Sequence, residues 1–223
     1  IGIQMTQILL FGIEYCTARM WMRMGLVPDG MIGHSIGEFG AACISGLLDE
    51  EEAVRMVLKR GELMEATEEG RMLAVWQKRE EAERWLDYGV NIAAVNESNQ
   101  VVLSGKKENI EKVWGECQKE EILCTMLRLK RGFHSELMEQ ASKTYAEYAD
   151  SVKKNKMRIP YVSCVTGDWI NEEEITGAYW GRHMRDTVQY LKGMETLHAW
   201  GGDIYVEVGP GETLSQIARR MHK

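Results

Sequence analysis

Residues 33–37 read Gly33-His34-Ser35-Ile36-Gly37, and no other stretch constrains the fold of this chain as strongly. The pattern G-x-S-x-G is that of a serine raised on a sharp turn between a strand and a helix. Small residues two before and two after the serine let the backbone turn that tightly without a Cβ clash. The flanks fit: Pro28-Asp29-Gly30 predicts a turn, Met31-Ile32 the end of a buried strand, and Glu38-Phe39-Gly40-Ala41-Ala42-Cys43 a helix. The N-terminus of that helix would aim backbone N–H groups at any negative charge forming near Ser35. The chain holds 22 glycines, so an ordinary Gly-rich turn is the competing reading of the motif alone.

Composition narrows the field. A chain of 223 residues suffices for one large domain, or for a core with a small insert. Its 44% apolar and 27% charged residues are those of a globular protein. A net charge of -7 offers no general basic field, which argues against nucleic acid as a partner. Cys16, Cys43, Cys117, Cys124 and Cys164 are odd in number and scattered, so a reduced, cytoplasmic compartment is expected. No Cys-x-x-Cys pair or His/Cys cluster reads as a metal site. The apolar stretch Ile8-Leu9-Leu10-Phe11-Gly12-Ile13 is too short to span a bilayer, nothing resembles a signal peptide, and no membrane role is expected. The chain opens with Ile and reads as a piece of something longer.

The order of elements suggests a core with an insert. Residues 3–24 predict a largely buried helix, although Ile3, Gln7, Leu10, Glu14 and Ala18 form no clean stripe. A second helix is expected from Asp49, with Glu50, Glu51 and Glu52 suiting the dipole of its first turn. From residue 70 the texture changes. A strand at 72–76, a helix at 80–88, strands at 90–96 and 101–105, a helix at 108–120 and a strand at 124–129 make a βαββαβ series, the order of a ferredoxin-like unit. A helix near 135–154, a strand at 161–163, a helix at 177–200 and a strand at 204–208 follow.

A serine hydroxyl needs a base. His134, in Gly132-Phe133-His134-Ser135, sits where the inserted unit would rejoin the core. Arg60 is either a solvated helix charge or a planar fork that holds a carboxylate with two parallel hydrogen bonds. His34 reads as a wall of the turn, and His198 and His222 as surface residues. The basic run Arg128-Leu129-Lys130-Arg131 abuts His134, where docking of an anionic partner competes with plain solvation.

Taken together, GHSIGEFGAACISG (33–46), RGELME (60–65), GRMLAV (70–75), VNIAAVNESNQVVLSG (90–105), GFHSELM (132–138), YWGRHMRDTVQY (179–190) and EVGPGETLS (207–215) point one way. In order and spacing the chain resembles the malonyl-CoA:acyl-carrier-protein transacylases, and more closely the acyltransferase domains of polyketide synthases. The resemblance implies an α/β fold: a hydrolase-like parallel-sheet core at 1–69 and 131–223, with a ferredoxin-like subdomain inserted at 70–130. It implies Ser35 as nucleophile and His134 as base, then acid. The imidazole would be oriented by a backbone carbonyl, by position that of His183. It implies an oxyanion N–H from Ile36, a carboxylate clamp at Arg60, and Phe133, Ile36, Asn96 and His183 as further substrate-binding residues. Ile36 and Phe133 match the malonyl-selective pattern, and Phe133 would crowd an α-methyl group; Lys130-Arg131 depart from that pattern. The reaction implied is ping-pong transfer of malonyl from CoA to the phosphopantetheine thiol of an acyl carrier protein, in polyketide or fatty-acid biosynthesis. It needs malonyl-CoA as substrate and no bound cofactor, with neighbouring synthase domains as further partners. The family opens with a strand and a Gly-Gln-Gly segment that has no counterpart here, so a core without its N-terminal part is expected. A serine esterase or thioesterase-type hydrolase shares the elbow but leaves Arg60 and GFHS unused. A non-catalytic docking module of a synthase is the reading from outside the enzymes.

Overall fold

The computed structural model describes residues 2–221, so His222 lies outside the described residues. Helix α1 (Ile3–Arg23) leads to a two-residue strand β1 (Met31–Ile32) and directly into α2 (Gly37–Ile44). Helix α3 (Glu50–Glu65) follows, with three glutamates in its first turn where the helix dipole favours them. Its buried residues Ala53, Met56, Val57, Arg60, Gly61 and Met64 recur at helical spacing and form the stripe that faces α1 and α2.

Strands β2 (Gly70–Val75), β3 (Val90–Glu97), β4 (Gln100–Lys106) and β5 (Cys124–Met126) form an antiparallel sheet in the order β3-β4-β2-β5. That order is the one a βαββαβ unit adopts. Between the strands run α4 (Arg79–Ala82), continued by a 3-10 turn over Glu83–Tyr88, and α5 (Lys107–Lys119). Alternation along the strands sends Leu73, Val75, Val101 and Leu103 to the face under α4 and α5. Met72, Ala74 and Val102 go to the opposite face, against α8 (Tyr190–Trp200) and α9 (Thr213–Met221). Helix α6 (Glu139–Asp150) then packs on α7 (Gly177–Arg185), and β6 (Tyr161–Val162) pairs in parallel with β1. An α/β fold with a short parallel sheet and an antiparallel unit is therefore what the chain adopts.

Three local expectations change. Helix α1 is not largely buried: Gln7 and Phe11 are its buried residues, while Met5, Leu9, Ile13 and Met20 are exposed, because no described element covers that face. Residues 204–208 form no strand, having no neighbour to bond with, and Ile204 is 86% exposed. The helix expected over 177–200 is two helices, α7 and α8, with an extended break at 186–189.

The elbow is as tight as its motif requires, on one side. A Cβ at Gly33 would overlap the main chain of Gly37 and Glu38, so position 33 admits only glycine. At Gly37 the nearest atom to an added Cβ is Glu14 Oε2 at 3.8 Å, so the second glycine is not required by crowding.

Candidate active site

Ser35 sits between β1 and α2 with φ +50°, and His134 faces it with φ +54°. Among the described non-glycine residues only Glu121 shares that left-handed region. Such a backbone costs on the order of 1–3 kcal/mol and persists where its surroundings impose it. Ser35 Oγ and His134 Nε2 are 2.8 Å apart. His134 is 4% exposed. Burial, then the nearby Arg60 and His34, push its pKa down to about 3, while the carbonyl at Nδ1 works in the opposite sense. The imidazole is thus neutral at physiological pH, with Nε2 free to accept the serine proton.

The carbonyl that receives Nδ1–H belongs to Asp186, at 2.9 Å, and not to His183. The break at 186–189 explains this. Asp186 still donates its N–H to Arg182 O, but its own backbone turns extended (ψ 163°) and frees its carbonyl from the helix. His183 lies one turn inside α7. Its ring is buried against Phe39 and Trp180, with Nε2 3.6 Å from Glu38 Oε2 and the Ser35 backbone facing it. Neither ring nitrogen reaches hydrogen-bond geometry, and burial holds the imidazole neutral.

Arg60 is 1% exposed and reaches the same point from α3. One terminal nitrogen donates to Ser35 Oγ at 3.0 Å, the other to Gln7 Oε1 at 2.8 Å, and Nε has no partner. No described carboxylate lies within ion-pair distance of it. Glu38 acts on it only from beyond ion-pair distance; a buried guanidinium without a paired carboxylate is costly, and this one retains unused donors beside the serine. Gln7 fixes its orientation, a role that the sequence of the first helix does not announce. Its only signal was its place four residues before Phe11, on the buried side of α1.

The remaining expected residues gather around this centre. Ile36 caps α2, and its N–H makes no hydrogen bond among the described residues. Phe133 is half-buried and touches both the core under α1–α3 and the core under α8. Asn96, on β3, directs Oδ1 at His34 Nε2, 2.8 Å away, and His34 rests on the Tyr190 ring. Arg131 is used inside the fold: it donates to Glu65 O at the end of α3.

Glu38, Cys164 and His183 place one ligand-type atom each within 4.8 Å of the others, and no other described group of this kind does so. The Glu38 oxygens already accept from Cys164 N–H and the Tyr179 hydroxyl. Arg60 is the charge that acts on Glu38, and it opposes a dication. The cluster is a buried anchor behind the elbow. A cavity of about 760 Å³ opens between α1, β1 and residues 200–209; it is lined by Gly33 and His34 but not by Ser35, Arg60 or His134.

Comparison with known proteins decides the family. The family of the acyl transferase domain matches residues 1–223. The chain belongs to the acyl transferase domain family. In sequence this acyl transferase domain is similar to the polyketide synthase GfsA of Streptomyces halstedii, 34% identical over 221 residues, which are 97% of this chain and 3% of that protein. In structure it is similar to the acyltransferase domain from the second module of the salinomycin polyketide synthase (TM-score 0.93, 34% identity, 97% of this chain and 52% of that one). It is also similar to the acyl transferase domain of SpnD in complex with a 2-(pent-4-yn-1-yl)malonyl group (TM-score 0.91, 31% identity, 95% and 52%). The chain spans about half the length of these two solved domains.

Proposed function

We propose that this domain transfers a malonyl-type acyl group from CoA to the phosphopantetheine thiol of an acyl carrier protein, through an ester on Ser35. The observation that carries this reading is Arg60: a buried guanidinium with no carboxylate partner, hydrogen-bonded to the candidate nucleophile. An acyl group that ends in a carboxylate would supply the missing anion at that spot, in the bidentate geometry arginine favours. The malonyl group bound by the SpnD domain supports the same choice.

The chemistry follows from the contacts. His134 Nε2 takes the Ser35 proton as Oγ attacks the thioester carbonyl. The Asp186 carbonyl keeps the proton on Nδ1, so Nε2 is the basic nitrogen. No side-chain carboxylate is needed, because a thioester is activated. The Ile36 N–H and the start of α2 stabilise the oxyanion. His134 then returns the proton to the departing CoA thiol. The ester waits behind Phe133 and Ile36 until a carrier thiol attacks by the reverse path. Neighbouring synthase domains would deliver that carrier.

The test is the fate of the acyl group. With malonyl-CoA and a phosphopantetheine-bearing carrier protein, mass spectrometry should find malonyl on the carrier at many times the amount of free malonate. Malonate released at the same rate with and without carrier would make the domain a hydrolase and overturn the proposal.

A further inference from the structure

The break between α7 and α8 is held by the antiparallel sheet, and the manner of holding points to one residue. Residues 186–189 contain neither glycine nor proline, so nothing in their own chemistry ends the helix there. What ends it is bonding to β3. Val188 N–H donates to Ala93 O and Val188 O accepts from Val95 N–H, both at 2.9 Å, so Val188 lies beside β3 as a single parallel rung at Ala94. Gln189 N–H donates to Cys164 O at 2.7 Å and closes the far end. At the near end, next to Asp186, the tie is a side chain: Thr187 Oγ1 donates to Ile92 O at 2.6 Å.

The sheet is shaped to receive that hydroxyl. Successive carbonyls of a regular strand point to opposite edges. In β3 the register against β4 slips between Ile92 and Ala94. This irregularity turns the consecutive carbonyls of Ile92 and Ala93 to the same neighbour, one to Thr187 and the next to Val188. Irregularities of this kind re-aim groups beside active sites.

We infer that Thr187 is a positioning residue: its hydroxyl, anchored on the Ile92 carbonyl, fixes the segment whose preceding carbonyl, that of Asp186, orients His134. The inference rests on the acyl-transfer reading for its kinetic consequence, but not for its geometry. Thr187 touches neither the serine nor the base, and acts through Asp186 O. It also links the antiparallel sheet to the Ser35–His134 pair, because a displacement of β3 moves the carbonyl that holds the imidazole.

Thr187→Val keeps the shape and removes the donor, and Thr187→Ser keeps the donor. Thr187→Ala gives the same reading as the valine should the second methyl not fit. For Thr187→Val the acylation rate at saturating malonyl-CoA is expected to fall about 10-fold with KM unchanged, since misorientation of a base costs rate and not affinity. In NMR spectra the His134 Nδ1–H signal is expected to move or broaden. Thr187→Ser should restore both. A valine variant with wild-type rate and signal would overturn the inference. So would a lower rate with an unmoved signal, or a serine variant as impaired as the valine. If the wild-type protein forms no acyl-enzyme, the acyl-transfer reading fails by itself, and the His134 signal across the three variants still decides the role of Thr187.

Discussion

Arg60→Ala is expected to invert the acyl preference of the domain. A carboxylate paired with a buried guanidinium is worth about 3–5 kcal/mol when one partner is removed, which is on the order of 10²–10⁴-fold in kcat/KM for malonyl-CoA. Acetyl-CoA brings no anion. In the wild-type site it leaves Arg60 buried and uncompensated; in the alanine variant that penalty is gone, so acetyl transfer should rise while malonyl transfer collapses. Arg60→Lys should recover only part of the malonyl rate, because a point charge cannot reproduce the fork that spans Ser35 Oγ and Gln7 Oε1. Steady-state kinetics with both thioesters check this. Equal losses for acetyl and malonyl would mean that Arg60 supports the elbow and does not read the acyl chain.

The second large effect concerns His134. His134→Ala should lower the acylation rate by about 10²–10⁴-fold, the usual contribution of a positioned base. The pH dependence follows from its environment. Burial and Arg60 hold the imidazole at a pKa of about 3, so the acid limb of kcat/KM for the free enzyme should lie far below the pKa of about 6.5 for an ordinary histidine. Stability falls in the same direction, but over a higher pH range. Below about pH 6.5 the unfolded chain binds a proton at this residue that the folded chain refuses. Stability is therefore lost as pH falls from about 6.5 towards 3. His134→Gln should flatten that part of the curve in denaturant titrations. An acid limb near pH 6.5 would show that the imidazole is not held in this way.

Local patterning reaches the elbow and most of its surroundings. The pentapeptide 33–37 places Ser35, and the βαββαβ order of residues 72–129 gives the antiparallel unit. Arg60 is legible in retrospect: it stands on the stripe of Met56, Val57 and Met64, where a solvated charge has no place. The orienting carbonyl is a different case. Residues 177–200 carry an unbroken helical pattern, and the break that releases Asp186 is imposed by bonds to β3, about 90 residues earlier in the chain. No local signal reports such a tie, and the resemblance, read by position, points to His183 instead. Residues 204–208 fail for the converse reason: they have the pattern of a strand, but a strand forms only beside a partner. Gln7 is invisible because a glutamine on a helix is ordinary until an arginine reaches it from another one.

The central claim is that Ser35 carries the acyl group. The most direct measurement is the intact mass of the protein after brief exposure to malonyl-CoA, beside Ser35→Ala. The account predicts an adduct of about 86 Da on the wild-type protein, the mass of a malonyl ester, absent from the alanine variant and discharged on adding carrier protein. An adduct of equal size on Ser35→Ala would put the acyl group elsewhere and contradict the account.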